Sequence, residues 1–242
     1  MDEHLKNNLE YLQNLATSLS IEKTLQLLTD TFPGKVTFST SFSFEDQAIT
    51  DLVKKSTKGI FIFTLDTGRL FSETYNVWSR TNEYYDLKIK SFAPKAEEIE
   101  NFVNANGPNA FYESIDLRKS CCFIRKVEPL QRALAGHSVW ITGLRAEHSP
   151  ERKTLELIEW DEVNHIIKYN PLLHWTSEEV IAYVKQNNVP YNVLHDRGFI
   201  SIGCAPCTRA VKPGEDFRAG RWWWEDASKK ECGLHTHAVQ TN

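Results

Sequence analysis

Residues 59–69 of the chain have the sequence GIFIFTLDTGR, in which a largely apolar run ends at Leu65 and is followed at once by Asp66 and Gly68. Such a short run of β-branched and aromatic residues is typical of a strand that is buried on both faces of a parallel sheet. These sheets bind their ligands at the carboxyl ends of the strands. We therefore predict a strand over 59–65 with a ligand site at its end, although Asp66 and Gly68 also suit a plain turn.

Segments with strand and helix character alternate on both sides of this run. Strands are predicted over 35–41, 87–92 and 138–142, and helices over 5–19, 21–31, 45–54, 71–85, 94–104, 117–134 and 176–186. Repeated alternation of this kind indicates an α/β fold in which a parallel sheet is sandwiched by helices. From Gly198 onward the periodicity is lost, and the end of the chain is predicted to be a mobile tail.

The bulk properties of the chain argue against several classes of protein. Its 242 residues suit one large domain, and its net charge of −4 disfavours a general nucleic-acid binder, which needs a basic surface. No stretch approaches the ~18 apolar residues of a membrane span, and the polar N-terminus has no apolar signal-peptide core. We therefore predict a cytoplasmic protein with no nucleic-acid partner and no membrane partner. The reducing cytoplasm also argues against structural disulfides.

A hydroxyl-rich stretch, TFSTSFSFED at 37–46, joins a predicted strand to a predicted helix. Backbone N–H groups at a helix N-terminus, together with Ser41 and Ser43, can hold a phosphate group. Serines in this position are also common helix caps, and Glu45 and Asp46 can be plain first-turn acids that favour the helix dipole. Taken alone, the stretch is compatible with either interpretation.

Arginines mark two further candidate anion contacts. Arg145 follows the predicted strand over 138–142, at the edge of the sheet where ligands bind. Arg218 and Arg221 lie three residues apart and can make two-pronged contacts to a sulfate or phosphate group. The alternative for the second pair is a pair of surface arginines beside three consecutive tryptophans that anchor the tail.

Four of the five cysteines form two pairs. Cys121 and Cys122 are adjacent, and Cys204 and Cys207 form a C-x-x-C pair. Four thiolates are the usual complement of an iron–sulfur cluster or a structural zinc. Adjacent cysteines diverge on a helix, which suits the separated corners of a cluster better than one tetrahedral zinc ion. Buried free cysteines and a thioredoxin-like redox pair are the alternatives.

Cys232 is the fifth cysteine and lies in the sequence KKECGLH at 229–235. Two lysines and a histidine nearby can lower the pKa of a thiol and so raise its thiolate fraction. Gly233 allows the backbone to bend towards a substrate. Cys232 is therefore a candidate nucleophile, with an incidental exposed thiol on a tail as the alternative.

Together these motifs resemble the assimilatory sulfonucleotide reductases, in particular the bacterial adenylyl-sulfate reductases. The resemblance extends from Val36 to His235. Its most specific parts are the two cysteine pairs, the run from Arg218 to Trp224, and the sequence ECGLH at 231–235. The sequences LDTGRLFSETY and ITGLR are supporting matches.

The resemblance implies an adenine-nucleotide α-hydrolase-like fold with a modified pyrophosphate-type loop at 39–46. It implies that Cys121, Cys122, Cys204 and Cys207 bind a [4Fe-4S] cluster, which serves charge and positioning rather than electron transfer. The implied substrate-binding positions are Ser41, Ser43, Asp46, Leu65, Lys126, Arg145, Arg152, Arg218 and Arg221. Cys232 is the implied catalytic residue, which attacks the sulfur of adenylyl sulfate to give an S-sulfocysteine.

The same resemblance implies two regions and a separate electron donor. We predict a nucleotide-binding α/β domain over 1–213 that carries the iron–sulfur site, and a C-terminal segment and tail over 214–242 that carry the catalytic cysteine. No thioredoxin-like domain is appended, so the expected donor is a separate thioredoxin or glutaredoxin. Assembly into a homo-oligomer is left open.

Three alternatives follow from the departures and from other uses of the fold. A reductase of the 3′-phosphorylated substrate, or one of dual specificity, is the nearest, although relatives specific for that substrate usually lack the four cysteines. An ATP pyrophosphatase or nucleotidyltransferase is the second alternative, but it needs a loop of the SGGxDS type, which this sequence lacks. The loop also departs from the reductase pattern, because Ser43-Phe44 stands where the reductases often have glycine and alanine. A non-catalytic zinc module is the third. Arg118 stands where some relatives have a histidine.

Overall fold

A six-stranded sheet lies at the centre of the protein, for which the computed structural model describes residues 3–148 and 155–225. The strands are β1 Val36–Ser39, β2 Phe61–Leu65, β3 Lys90–Phe92, β4 Val139–Ile141, β5 Ile158–Asp161 and β6 Ile166–Tyr169. Their order is β3-β2-β1-β4-β6-β5, and every neighbouring pair is parallel except β5 and β6. The predicted parallel sheet is therefore confirmed, and the antiparallel hairpin of β5 and β6 extends one edge beyond the predicted strands.

Eight α-helices connect and cover these strands in the described part of the chain. They are α1 Glu3–Ala16, α2 Ile21–Thr31, α3 Phe44–Ser56, α4 Ser72–Tyr85, α5 Ala96–Asn106, α6 Ile115–Cys122, α7 Glu128–Leu134 and α8 Ser177–Gln186. The single helix predicted over 117–134 is a helical run over 115–134 whose middle, Phe123–Val127, is a π-helical turn. None of the described helices is both long and apolar enough to cross a membrane.

Apolar side chains of opposite strand faces form two separate cores. Ile62 in β2 packs in the larger core with residues of α1, α2, α3, α4 and α8, whereas its neighbour Phe63 packs in a second core with Leu130 of α7. Ile141 and Trp140 in β4 divide between the two cores in the same way. Because successive strand residues point to opposite faces, both faces of the sheet are covered by helices, as in other parallel sheets.

Side-chain caps determine where several helices begin. The Ser43 hydroxyl accepts a hydrogen bond from the backbone N–H of Asp46, and Ser114 caps α6 in the same way through Leu117 N. At α8, Thr176 and Glu179 form a reciprocal capping box. These caps satisfy N–H groups that have no partner within the helix. They determine where α3 and α6 begin, and residues of both helices line the cavities described below.

Candidate active site

A cleft of about 240 Å³ opens at the carboxyl ends of β1, β2 and β4. Ser41, Ser43 and Asp46 line it after β1, and Leu65 lines it at the end of β2. This position agrees with the rule that open parallel sheets bind ligands beyond the carboxyl ends of their strands. Leu65 thus lies at the edge of this cleft, and its contact with a substrate stays a prediction.

The loop after β1 is folded back on Asp46. Both the backbone N–H and the hydroxyl of Ser41 donate to the Asp46 carboxylate, each over 2.6 Å. Phe42 has the left-handed φ of +61° that usually favours glycine, yet its ring is buried and stacks on Trp78 at 5.9 Å. Burying an aromatic ring offsets a backbone cost of roughly 1–2 kcal/mol. The loop thereby reaches a conformation suited to glycine without containing one.

Burial raises the pKa of the Asp46 carboxyl to about 6, with the hydrogen bonds from Ser41 opposing the shift and the nearby charge of Glu45 adding to it. Gly143, which follows β4, leaves room for this carboxylate, because a β-carbon there would clash with it. The strand end of the cleft is therefore lined by hydroxyl groups and by acids.

Basic side chains from other segments also line the cleft. Lys126, Arg218 and Arg221 all line it, and Arg221 is nearly buried. The Arg221 guanidinium donates to the Ser201 hydroxyl over 3.2 Å and lies 4.9 Å from the ring of Trp222. Guanidinium and ammonium groups that converge in a partly enclosed site favour an anionic group such as sulfate or phosphate.

The four paired cysteines meet in a small cavity that shares Lys126 with the cleft. Cys121 and Cys122 end helix α6, while Cys204 directly precedes the short 3₁₀ turn Ala205–Cys207 and Cys207 is its last residue. All four side chains line one cavity, as the paired spacing predicts, and all four are free thiols. Among the described residues, no three His, Cys, Asp or Glu side chains are grouped so as to hold one metal ion.

Positive charge surrounds the cysteine cavity, whose lining includes Arg69, Arg118, Arg125 and Lys126. Arg125 is one helical turn beyond Cys121 and donates to the backbone oxygen of Thr67 over 2.6 Å. Sequence reasoning did not single out Arg69 or Arg125 as site residues. The four-residue spacing of Cys121 and Arg125 is the signal that would have found the second, because such residues share a helix face.

Burial disfavours the ionisation of two of the four thiols. Burial raises the pKa of Cys207 to about 12, and burial also raises the pKa of Cys121, with the charge of Arg125 opposing it. The Cys204 thiol donates to the Thr67 hydroxyl over 3.2 Å. Thiols must lose their protons to bind a metal, so binding at this cavity would release protons.

Lys126 connects the two cavities, because its side chain lines both the cleft and the cysteine cavity. It belongs to the π-helical turn that follows Cys122 directly. A π turn inserts one residue into the helical repeat and so changes which face the following side chains occupy, and such turns are frequent at functional sites. The chain thus places a lysine between the predicted substrate site and the four thiols.

The structure separates the remaining predicted site residues into two groups. Arg145 does not line the cleft: it is buried behind it, in ion pairs with Glu45 and Glu147 and with a hydrogen bond to the Ser177 hydroxyl. Its guanidinium therefore connects Glu45, which lines the cleft, to Glu147 and to Ser177 at the start of α8. Arg152 and Cys232 lie outside the described residues. Their roles, and the proposed division of the chain at residue 213, stay predictions.

The mostly parallel sheet with helices on both faces defines an α/β protein of the adenine-nucleotide α-hydrolase-like fold. The FMN adenylyltransferase of Candida glabrata, bound to FAD and pyrophosphate, has this fold in common with it, at a TM-score of 0.56 over 99% of this chain and 82% of that one, with 16% identity. More specifically, residues 35–210 match the phosphoadenosine phosphosulfate reductase domain. The chain belongs to that family, the sulfonucleotide reductases.

Relatives within the family agree with this assignment. The chain is 52% identical to the adenosine 5′-phosphosulfate reductase of Burkholderia cepacia, over 85% of this chain and 82% of the relative. It is 49% identical to the enzyme of the same name from Allochromatium vinosum, over 83% of this chain and 78% of the relative. The phosphoadenylyl-sulfate reductase of Candida auris, solved with phosphate, is 32% identical and matches with a TM-score of 0.71 over 84% of this chain and 96% of that one.

Proposed function

We propose that the protein is an adenylyl-sulfate reductase, which converts adenylyl sulfate to sulfite and AMP with electrons from reduced thioredoxin or glutaredoxin. The observation that carries the proposal is the position of Lys126, which lines both the cleft and the cavity of four cysteines. The proposal is supported by membership of the family and by relatives, 49% and 52% identical in sequence, that are named for this activity. The reducing cytoplasm is the compartment that suits such chemistry.

The two groups of cleft residues favour one orientation of the substrate. Its adenosine would lie at the strand ends, where Ser41 and Asp46 offer hydroxyl and carboxyl groups to a ribose. Its sulfate would lie at Lys126, Arg218 and Arg221, whose charges offset those of the sulfate oxygens. These charged donors are already in place around the negative sulfate oxygens. They would lower the barrier to nucleophilic attack on the sulfur, because they need no reorganisation during the reaction.

The residues around the cysteine cavity fit an iron–sulfur cluster. Four thiols, from an adjacent pair and a C-x-x-C pair, line one cavity, and four thiolates are the usual ligand complement of such a cluster. Arg69, Arg125 and Lys126 would offset the negative charge of the thiolates. When bound, a [4Fe-4S] cluster would supply charge and rigidity next to the sulfate end, and Cys121, Cys122, Cys204 and Cys207 would hold it.

Cys232 is the proposed nucleophile, on the strength of its sequence and the family resemblance. Its thiolate would attack the sulfur of adenylyl sulfate, a new S–S bond would form, and the bond from sulfur to the phosphate oxygen would break with AMP as the leaving group. A thiol of the donor would then attack the Cys232 sulfur and release sulfite. The second thiol of the donor then attacks the mixed disulfide that this step leaves, which frees the Cys232 thiol and converts the donor dithiol to a disulfide. The two electrons of the dithiol are those that reduce the sulfur.

The acidic strand end of the cleft bears on the choice between the two sulfonucleotides. A 3′-phosphate on the ribose would bring further negative charge towards Asp46 and Glu45, which both line that end. Like charges in a partly buried site repel one another strongly. This supports adenylyl sulfate as the preferred substrate, with the 3′-phosphorylated compound, or dual specificity, as the alternative.

The test is anaerobic purification followed by assays of composition and turnover. We expect a brown protein with iron and acid-labile sulfide, and a higher kcat/KM for adenylyl sulfate than for its 3′-phosphorylated form when sulfite release is measured with reduced thioredoxin. A colourless protein with one zinc per chain would contradict the cluster. A higher kcat/KM for the phosphorylated compound would contradict the proposed specificity.

A further inference from the structure

A buried ion pair joins the helix of the first cysteine pair to the end of the described chain. The Arg118 guanidinium in α6 donates to both oxygens of the Glu225 carboxylate, over 3.0 Å from Nε and 2.7 Å from the terminal nitrogen. The Arg118 side chain is fully buried and that of Glu225 is 4% exposed. Neither residue lines the proposed substrate cleft. The pair therefore has no direct role in the substrate contacts proposed above.

The same segment is attached to both cysteine pairs. The backbone N–H of Trp222 donates to the backbone oxygen of Cys207 over 3.2 Å. Arg118 is a hydrogen-bond partner of the Cys122 side chain, and its guanidinium lies 4.6 Å from the Trp222 ring. Residues 221–225, which we call the anchor segment, are thus held at one end by the C-x-x-C turn and at the other by α6.

Trp222 itself is evidence that the anchor segment is firmly held. It is 1% exposed and has a φ of +41°, a left-handed conformation that is strained for a bulky residue. Strain of this kind persists only where the surrounding structure determines the conformation. A buried ion pair is weak evidence of stability, and in some proteins such a pair instead fixes one particular arrangement of the chain.

The anchor segment has a consequence for the proposed nucleophile. Cys232 follows Glu225 by seven residues, so it can lie no further than roughly 25 Å from it even in a fully extended chain. Holding one end of a short tether close to its target raises the local concentration of the group at the other end. Arg221, the first residue of the anchor segment, lines the cleft where the sulfate of the substrate is proposed to bind. The anchor segment therefore begins beside the proposed sulfate site.

We propose that Arg118 is a positioning residue, which clamps Glu225 so that the chain leaves the four-cysteine site at a fixed point and presents Cys232 to the substrate sulfur. The inference rests on the proposed function. It adds that the two cysteine pairs, through Arg118 and the anchor segment, determine where the catalytic tail begins. Arg118 acts through Glu225 and touches neither the substrate nor the reacting sulfur.

The test compares Glu225→Gln with Glu215→Gln. Glu215 also binds an arginine with both oxygens, over 2.8 and 3.0 Å to Arg209, but that pair is partly exposed and neither residue lines the cleft or the cysteine cavity. Four quantities are measured in each holoenzyme: iron content, hydrogen exchange of residues 221–225, the rate at which adenylyl sulfate sulfonates Cys232 without donor, and the rate at which iodoacetamide alkylates Cys232.

For Glu225→Gln we expect faster exchange in the anchor segment and a sulfonation rate lower on the order of tenfold to a hundredfold at saturating substrate. Iron content and the alkylation rate should stay near those of the unaltered protein, because the four-cysteine site and the Cys232 thiol are intact. Glu215→Gln should change none of the four. Should Glu225→Gln fold poorly, Arg118→Lys keeps the charge beside Cys122 and should give smaller changes in the same direction.

Faster exchange with an unchanged sulfonation rate would reduce the clamp to a structural contact and overturn the inference, as would unchanged exchange. A fall in alkylation that matches the fall in sulfonation would also overturn it, since the thiol itself would then be altered. If the unaltered protein forms no adduct at Cys232, the proposed function fails instead. Hydrogen exchange then decides separately whether Arg118 and Glu225 hold the anchor segment.

Discussion

The guanidinium of Arg221 occupies the space that a side chain at residue 203 would need, and Gly203 provides that space. A β-carbon on Gly203 would clash with the guanidinium group, with its central carbon only 2.7 Å away. The backbone of Gly203 lies outside the left-handed region, so the absence of a side chain meets a steric need and not a conformational one. The glycine immediately before the C-x-x-C pair thus determines where an arginine of the proposed sulfate site lies.

Gly203→Ala should therefore displace Arg221 without unfolding the protein. We expect sulfite formation to fall on the order of tenfold to a hundredfold, because a displaced charged donor no longer meets the sulfate. The measurement is a double-mutant cycle with Arg221→Ala. Gly203→Ala should cost little when Arg221 is already absent. Equal costs in both backgrounds would mean that Gly203 acts on something other than Arg221.

Arg221→Ala should lower kcat/KM for adenylyl sulfate roughly a hundredfold, because one charged donor at the sulfate is lost. This corresponds to an activation free energy that is higher by on the order of 3 kcal/mol. Arg218→Ala should act in the same direction. Arg221→Lys should recover only part of the loss, because the two-pronged geometry is absent. Arg209→Ala, which removes an arginine of the same segment that pairs with Glu215 outside the cleft, serves as the control and should leave kcat/KM near that of the unaltered protein. Full recovery by lysine would contradict a two-pronged contact.

Asp46→Asn should stabilise the protein at alkaline pH. Burial raises the Asp46 pKa from 3.8 to about 6, so the folded state binds its proton more tightly than the unfolded state. The stabilising contribution is fully present below pH 3.8 and is lost as the pH rises through about 6. At pH 8 the charged carboxylate then costs about 3 kcal/mol, which the neutral asparagine avoids while its amide oxygen still accepts from Ser41.

The measurement for Asp46→Asn is the free energy of unfolding in urea at pH 8 and at pH 5. The advantage of the variant over the unaltered protein should shrink to about half at pH 5, because the folded carboxyl is then mostly protonated. Thr50→Val, a change one turn further along α3 that adds no titrating group, is the control and should show a pH-independent difference. Parallel stability curves for Asp46→Asn and the unaltered protein would contradict the raised pKa.

Cys204→Ser should abolish the brown colour and the bound iron, because one of four proposed thiolate ligands is lost. It should also destabilise the protein around the cavity, since the energy of metal binding contributes to folding. Cys232→Ser is the matched control: it makes the same change outside the proposed ligand set, and should keep iron and sulfide while forming no sulfite. Iron retained at full content in Cys204→Ser, or sulfite released at an unchanged rate by Cys232→Ser, would contradict these assignments.

Most of the sheet can be predicted from the sequence, and one edge cannot. Strands β2 and β4 are apolar runs bounded by turn residues, which is the pattern of a strand buried on both faces. The hairpin of β5 and β6 has no helix between its strands, and each strand has only four residues. Its stability comes from pairing with β4 and packing of α1, and local sequence does not record those contacts.

The candidate site divides in the same way. That Cys121, Cys122, Cys204 and Cys207 belong together follows from their number and spacing. The π-helical turn after Cys122 does not, because a helical pattern in the sequence does not distinguish a π turn from an α turn. Lys126 belongs to that turn, and it lines both the cleft and the cysteine cavity.

By itself the sequence determines the α/β class, the family and the supply of reactive groups: four paired thiols, a fifth cysteine, and arginines and a lysine in the expected segments. The tertiary structure alone decides which of those charges face the cleft. Arg145 and Arg221 are equally plausible anion ligands in sequence, yet Arg145 is paired with Glu45 and Glu147, whereas Arg221 lies over Gly203 and lines the cleft. The reason is physical: a buried guanidinium binds whichever carboxylates the fold brings to it, and Glu45 is a hundred residues away from Arg145 along the chain.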